Sequence, residues 1–181
     1  MVTSQALAEF VLSTGPLFTR YLEGFDDRNR TKQAPGLPNH VMWCLGHCAL
    51  TMHRASELLE SSHGVLPTSD FIAGDGTAGD PSRFDTVSVS AGSVPVDNPR
   101  IYPRLRRGVE IFTIAMRRLA EAAYRIDGDP MDEERTVTWG GQPIPRGALV
   151  ARMVFHNGTH CGQIVDLRRA LALPPVLAPK A

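Results

Sequence analysis

The chain has 181 residues, 43% of them apolar, and its 19 lysines and arginines balance its 19 aspartates and glutamates. That length suits one domain with a sizeable core, read here as 1–181. With a net charge of zero there is no field of one sign to attract nucleic acid or an anionic membrane, so neither is expected as a partner.

Met1-Val2-Thr3-Ser4-Gln5 places no basic segment ahead of an apolar run, as a secretory signal would. No stretch approaches the roughly 18 apolar residues of a membrane span. Three cysteines, Cys44, Cys48 and Cys161, cannot pair completely and read as reduced thiols. A cytoplasmic protein is expected.

Within 3–24, Leu7, Phe10, Val11, Leu17, Phe18, Tyr21 and Leu22 recur at helical spacing. Pro16 lies inside this pattern, removes a backbone donor and predicts a kink or break near Gly15-Pro16. Polar residues 25–37, with Pro35-Gly36, form a connection. Pro38 suits the first turn of a second helix running to about Ser61. At about 100° per residue, His47 shares a face with His40, Trp43, Leu50, Arg54 and Leu58. Such a mixture of polar and apolar groups fits the lining of a site better than a dry core.

The stretch 62–98 is rich in Gly, Pro, Ser and Asp. It reads either as a long crossover covering a pocket or as a surface excursion, since structureless loops of this length are usually functional or mobile. Gly74-Asp75-Gly76 completes neither a phosphate loop nor a calcium loop. A third helix, starting near Pro99–Tyr102 and ending near Ile126, carries the stripe Leu105, Val109, Phe112, Met116, Leu119 and Ala123, the mark of a core helix. Its basic Arg104-Leu105-Arg106-Arg107 reads as a solvated face rather than a phosphate footprint. Thr136-Val137-Thr138-Trp139, Gly140-Gly141 and Gln142-Pro143-Ile144 predict a short β-hairpin, with Pro143 confining its strand to an edge. A fourth helix follows Pro145. The expected fold is all-α: a four-helix bundle with long connections, a long loop between helices 2 and 3 and a hairpin before helix 4.

Chemistry concentrates on the fourth helix, in His156-Asn157-Gly158-Thr159-His160-Cys161-Gly162-Gln163. Histidines four residues apart share a helix face and can reach one cation at the roughly 2.0–2.1 Å of zinc–histidine bonds. Two histidines that merely share a face explain the spacing equally well. Asn157 stands where a His-Glu-x-x-His protease needs its general base, and the inward Glu-x-x-His pairs of a di-metal bundle are missing.

Trp43-x-x-Gly46-His47 in the second helix and His156-x-x-x-His160-x-Gly162-Gln163 in the last occur in this order. Together they resemble the DinB/YfiT-like four-helix-bundle metalloproteins, and the likeness extends to the long loop and the segment before the last helix. The resemblance implies three metal ligands, His47, His156 and His160. Three neutral imidazoles leave coordination positions open, as in catalytic sites, and suit zinc, nickel or ferrous iron alike. Relatives in that family include transferases and isomerases that use mycothiol or bacillithiol. The resemblance therefore implies a low-molecular-weight thiol as cofactor, a metal-activated thiolate as nucleophile and a small-molecule substrate. Two alternatives stand beside this: a hydrolase using metal-bound hydroxide, and a non-catalytic metal-binding stress-response bundle.

Gln163 projects between the two helix-4 histidines, as a hydrogen-bonding partner in the pocket or as a helix–helix contact. Arg152, one turn before His156, is either a pocket cation for an anionic substrate or half of a surface ion pair. His40 sits at the pocket mouth or solvated near a helix start, and His53 and His63 read as structural or surface residues. The three cysteines read as small buried hydrophobes. Gly158 and Gly162, each costing roughly 1 kcal/mol against alanine in a helix, suggest close helix packing or a homodimer contact.

Overall fold

Four amphipathic or apolar segments fold into four helices: α1 Ser4–Tyr21, α2 Val41–Leu59, α3 Leu105–Tyr124 and α4 Arg146–Ala170. The structure is a computed structural model, and it describes residues 2–61, 69–72 and 80–176. Two small pairs of strands complete the described residues: β1 Phe71–Ile72 with β2 Phe84–Asp85, parallel, and β3 Thr136–Trp139 with β4 Gln142–Pro145, antiparallel. The expected all-α bundle is what forms. No helix among the described residues is long and apolar enough to cross a membrane.

Helix α2 packs against α3 and α4, and α1 packs against the same two, while α3 and α4 scarcely touch. Around the bundle the order is therefore α1, α3, α2, α4, which sets α2 and α4 side by side. Every residue from Val41 to Leu50 is buried. A helix covered on nearly all sides must be apolar nearly all round, and Val41, Met42, Cys44, Leu45, Cys48 and Ala49 supply that. α3 instead shows one stripe, with Phe112, Met116, Leu119 and Ala123 buried. The Phe112 ring meets Phe18 of α1 with centroids 4.4 Å apart. From α4 come the fully buried Leu149, Met153 and Ile164. Each such side chain contributes about 1.5–3 kcal/mol through removal of apolar surface from water.

Three boundaries differ from the sequence reading. α1 is not broken at Pro16 but runs through it. Pro16 and Leu12 both lie on the exposed face, where water can replace the donor that the Leu12 carbonyl loses. α2 begins at Val41 rather than Pro38, because His40 caps it: the Nδ1 of His40 accepts the Trp43 backbone N–H at 3.1 Å. α3 begins at Leu105, where the Asp27 carboxylate accepts the Leu105 N–H at 2.8 Å.

The described parts of the long crossover between α2 and α3 lie on the bundle. Phe84 and Val89 are fully buried, and a Cβ on Gly46 would come within 2.7 Å of each. Gly46 thus lets the crossover approach the backbone of α2 as no other residue would. The β1–β2 pairing, Phe71 beside Phe84 and Ile72 beside Asp85, is too short to leave a periodic signal. Gly74-Asp75-Gly76 and His63 lie outside the described residues. The hairpin before α4 forms as expected, with Gly140 (φ 58°) and Gly141 (φ 78°) at its tip. Positive φ at both central residues gives the turn whose twist matches the strands it joins.

Candidate metal centre

Between the adjacent helices α2 and α4 the three histidines meet. Nε2 of His156 lies 3.2 Å from Nε2 of His47 and 3.2 Å from Nε2 of His160. One ligand atom from each of the three falls within 4.8 Å of the others. His47 and His160 are buried and His156 partly so. Nitrogens at the corners of a tetrahedron with zinc–nitrogen bonds of about 2.0–2.1 Å stand roughly 3.3–3.4 Å apart. The rings are spaced close to that requirement.

Their orientation is held from outside. The Nδ1 of His47 lies 2.9 Å from the Val89 carbonyl oxygen, which only accepts, so Nδ1 carries the proton and Nε2 a lone pair. Trp43, one turn earlier on α2, stacks on the His47 ring at 4.5 Å and 9°. The indole in turn donates to Ser93 Oγ at 2.8 Å. On α4, the Nδ1 of His160 lies 2.8 Å from Gln163 Oε1. Asn39 donates to that same oxygen at 3.1 Å, which fixes the amide's orientation. His160 therefore also keeps its proton on Nδ1 and aims a lone pair from Nε2.

Two lone pairs thus converge on His156 Nε2. A neutral His156 with its proton on Nε2 satisfies one of them, and with its proton on Nδ1 it satisfies neither. Its Nδ1 is buried with no hydrogen-bond partner among the described residues. Desolvation, with the neighbouring histidines adding to it, pushes His156 down to about 4. Desolvation pushes His160 down to about 4 as well. Desolvation also lowers His47, assisted by the charge of Arg54 and opposed by the Val89 bond. At neutral pH the cluster is uncharged, rich in lone pairs and short of protons to share. A cation is the species that such a donor set lacks, and the residues present fit one.

Beside the histidines opens a cavity of about 250 Å³ whose walls include His47, Leu50, Arg54, Trp139, Arg152 and His156. Larger clefts, one between Tyr21 and Arg168 and one between Ala8 and Tyr124, contain no group of histidines, cysteines or carboxylates able to hold an ion among the described residues.

A sequence profile of the DinB superfamily matches residues 13–164. The chain belongs to the DinB superfamily. Among solved structures it is similar to a conserved protein from Enterococcus faecalis, with a TM-score of 0.70 and 14% identity, over 95% of this chain and 98% of that one. At that identity the likeness speaks for the fold alone. No curated protein matches the chain.

Of the residues singled out from the DinB-like motifs, His47, His156, His160 and Gln163 come together, and Arg152 stands at the cavity wall. His40 departs from expectation. It is fully buried, caps α2 and lies 3.1 Å from the Val96 carbonyl, so it reaches neither the pocket nor solvent. His53 is buried beside Asp70, 3.7 Å away, on the side of α2 that meets the crossover. All three cysteines are buried, with burial pushing the thiols of Cys44 and Cys161 up to about 12 and that of Cys48 well up. None is poised as a thiolate ligand. A Cβ on Gly158 or Gly162 would meet nothing within 4 Å among the described residues, so the stripe serves no close packing between the four helices. Asn157 turns into the core, its amide 3.3 Å from the Met52 sulfur.

Sequence reasoning missed Val89, Ser93 and Asn39. Val89 acts through a backbone carbonyl, which leaves no side-chain signature. Ser93 and Asn39 lie in connections, where polar residues are the rule; only proximity to Trp43 and Gln163 distinguishes them.

Proposed function

We propose that His47, His156 and His160 hold a divalent transition metal, zinc, nickel or iron, and that this DinB superfamily member is a metal-dependent enzyme acting on a small molecule. One observation carries the reading: two Nε2 lone pairs, each set by a hydrogen bond at the opposite ring nitrogen, converge on a third imidazole that cannot satisfy both. A metal bound there would lower the pKa of a thiol or a water in an open position. The chain's part is to hold the imidazoles neutral, to orient two of them through Val89 and Gln163, and to shield the site with Trp43.

The favoured reaction is transfer of a low-molecular-weight thiol to an electrophile. In its support, none of the described residues lining the cavity is a carboxylate: beside the histidines stand the apolar Leu50, Ala91, Trp139 and Met153, with Thr51, Arg54 and Arg152. A nucleophile made by loss of a thiol proton needs no general base of the protein, whereas hydrolysis gains from one.

Metal analysis of protein purified without added metal, beside His47→Ala, His156→Ala and His160→Ala, tests the site. The expected result is a single equivalent in the wild type, lost in all three variants. Retention of metal by His47→Ala, or no metal bound even after titration, overturns the reading. Consumption of an electrophile that depends on added thiol supports transfer, and product release without thiol supports hydrolysis instead.

A further inference from the structure

The cavity beside the histidines carries positive charge that the fold itself leaves unused. Arg54 on α2 and Arg152 on α4 both line it. Arg54 follows His47 by about two helical turns and Arg152 precedes His156 by about one, so each rises from the same face as a histidine of the cluster. Neither makes a hydrogen bond or an ion pair among the described residues, whereas Arg107 is paired with Asp70, Arg118 with Glu60 and Arg135 with Asp127. Glu57, close enough to Arg54 to feel its charge, lies 3.9 Å from Arg118. The cavity wall between the two arginines is apolar, with Leu50, Trp139 and Met153.

Two guanidiniums over a low-dielectric wall, neither held in a direct ion pair among the described residues, raise the local concentration of anions. Their planar forks match the geometry of a carboxylate or a phosphate. At about 250 Å³ the cavity is small, just under the ~300–1,000 Å³ of most ligand sites. It suits a compact molecule.

We infer that Arg54 and Arg152 form an anion clamp at the mouth of the histidine site, and that the small molecule acting there carries a carboxylate or a phosphate a few bonds from the atom that faces the histidines. The inference rests on the metal-site reading for what lies beyond the clamp, but the clamp itself does not depend on the metal.

The test has two arms. In the first, cobalt(II)-loaded protein is titrated with mercaptopropionate and with its neutral counterpart mercaptoethanol, following the sulfur-to-cobalt absorption. The acid should bind about tenfold or more tightly, as a charge-assisted pair predicts. That preference should collapse in R54Q/R152Q while cobalt content stays at the wild-type level. Equal binding of the two thiols, or a preference that survives in the double variant, overturns the clamp. In the second arm, metal-free protein is titrated with succinate and with inorganic phosphate, following the guanidinium NMR signals of Arg54 and Arg152. The anion that shifts both signals identifies the class, and no shift with either overturns the clamp. Protein that binds no cobalt but shows these shifts retains the clamp and loses the metal site, so the two failures are separable.

Discussion

The two helices that build the histidine cluster do so by different means. α4 is nearly self-sufficient: His156 and His160 are one turn apart, and Gln163, three residues on, orients His160 from the same helix, with only Asn39 reaching in from outside to steady the amide. α2 supplies His47 alone, and everything that orients it except Trp43 comes from the crossover some forty residues away, through the Val89 carbonyl and Ser93. Helical periodicity guarantees the first arrangement once the helix forms. The second depends on tertiary packing at Gly46, where the crossover meets α2. One half of the site is therefore local and the other borrowed.

Removing the residue common to both halves should have the largest effect. His156 Nε2 is the atom that both other rings face, so His156→Ala should reduce bound metal below detection by mass spectrometry of the native protein. Gly46→Ala attacks the borrowed half. Its Cβ would meet Phe84 and Val89 at 2.7 Å, and overpacking of this kind costs about 1–3 kcal/mol. Both Tm and metal affinity should fall together, and a variant with unchanged metal affinity would show that Val89 does not govern His47. Gln163→Ala attacks the local half without touching the core. Loss of a hydrogen bond that orients a ligand typically weakens metal binding about 10–100-fold, and the thermal midpoint of the metal-free protein should hardly move.

The expected effect with least bearing on the metal concerns pH and two histidines outside the cluster. Burial pushes His40 down to about 4 and His53 down to about 4. In the unfolded chain both titrate near 6.5. Between those values the unfolded state binds protons that the folded state refuses, so stability falls as pH drops from about 6.5 towards 4 and then levels off. Thermal melts of metal-free protein across that range check the sign, with His47, His156 and His160, lowered in the same direction, adding to the loss. In His40→Asn the side chain can still cap α2, and the acid loss should be shallower; an unchanged slope would remove His40 from the account.

Much of the fold was legible because it is written in local periodicity. The stripe from Leu105 to Ala123 identified α3, and Gly140-Gly141 between alternating residues identified the hairpin. Of the kink or break expected at Pro16, the break did not occur, since a proline's cost depends on whether its orphaned carbonyl faces water or core, and spacing alone does not reveal that face. His40 was misplaced for a related reason. Asn, Asp, Ser and Thr are the usual caps, and a histidine in that role is recognisable only when its Nδ1 is found against the Trp43 N–H.

The sequence by itself determined the four helices, the pairing of His156 with His160 on one face and, through resemblance to the DinB-like motifs, the inclusion of His47. Those depend on the helical repeat and on which residue types can donate a lone pair. Only the tertiary structure decided which ring nitrogens those lone pairs occupy, because the Val89 carbonyl and the Gln163 amide select the tautomers. It also decided that Arg54 and Arg152, far apart in the chain, face one cavity. Contacts between distant segments arise from how helices and crossover pack, and no periodicity along the chain encodes them.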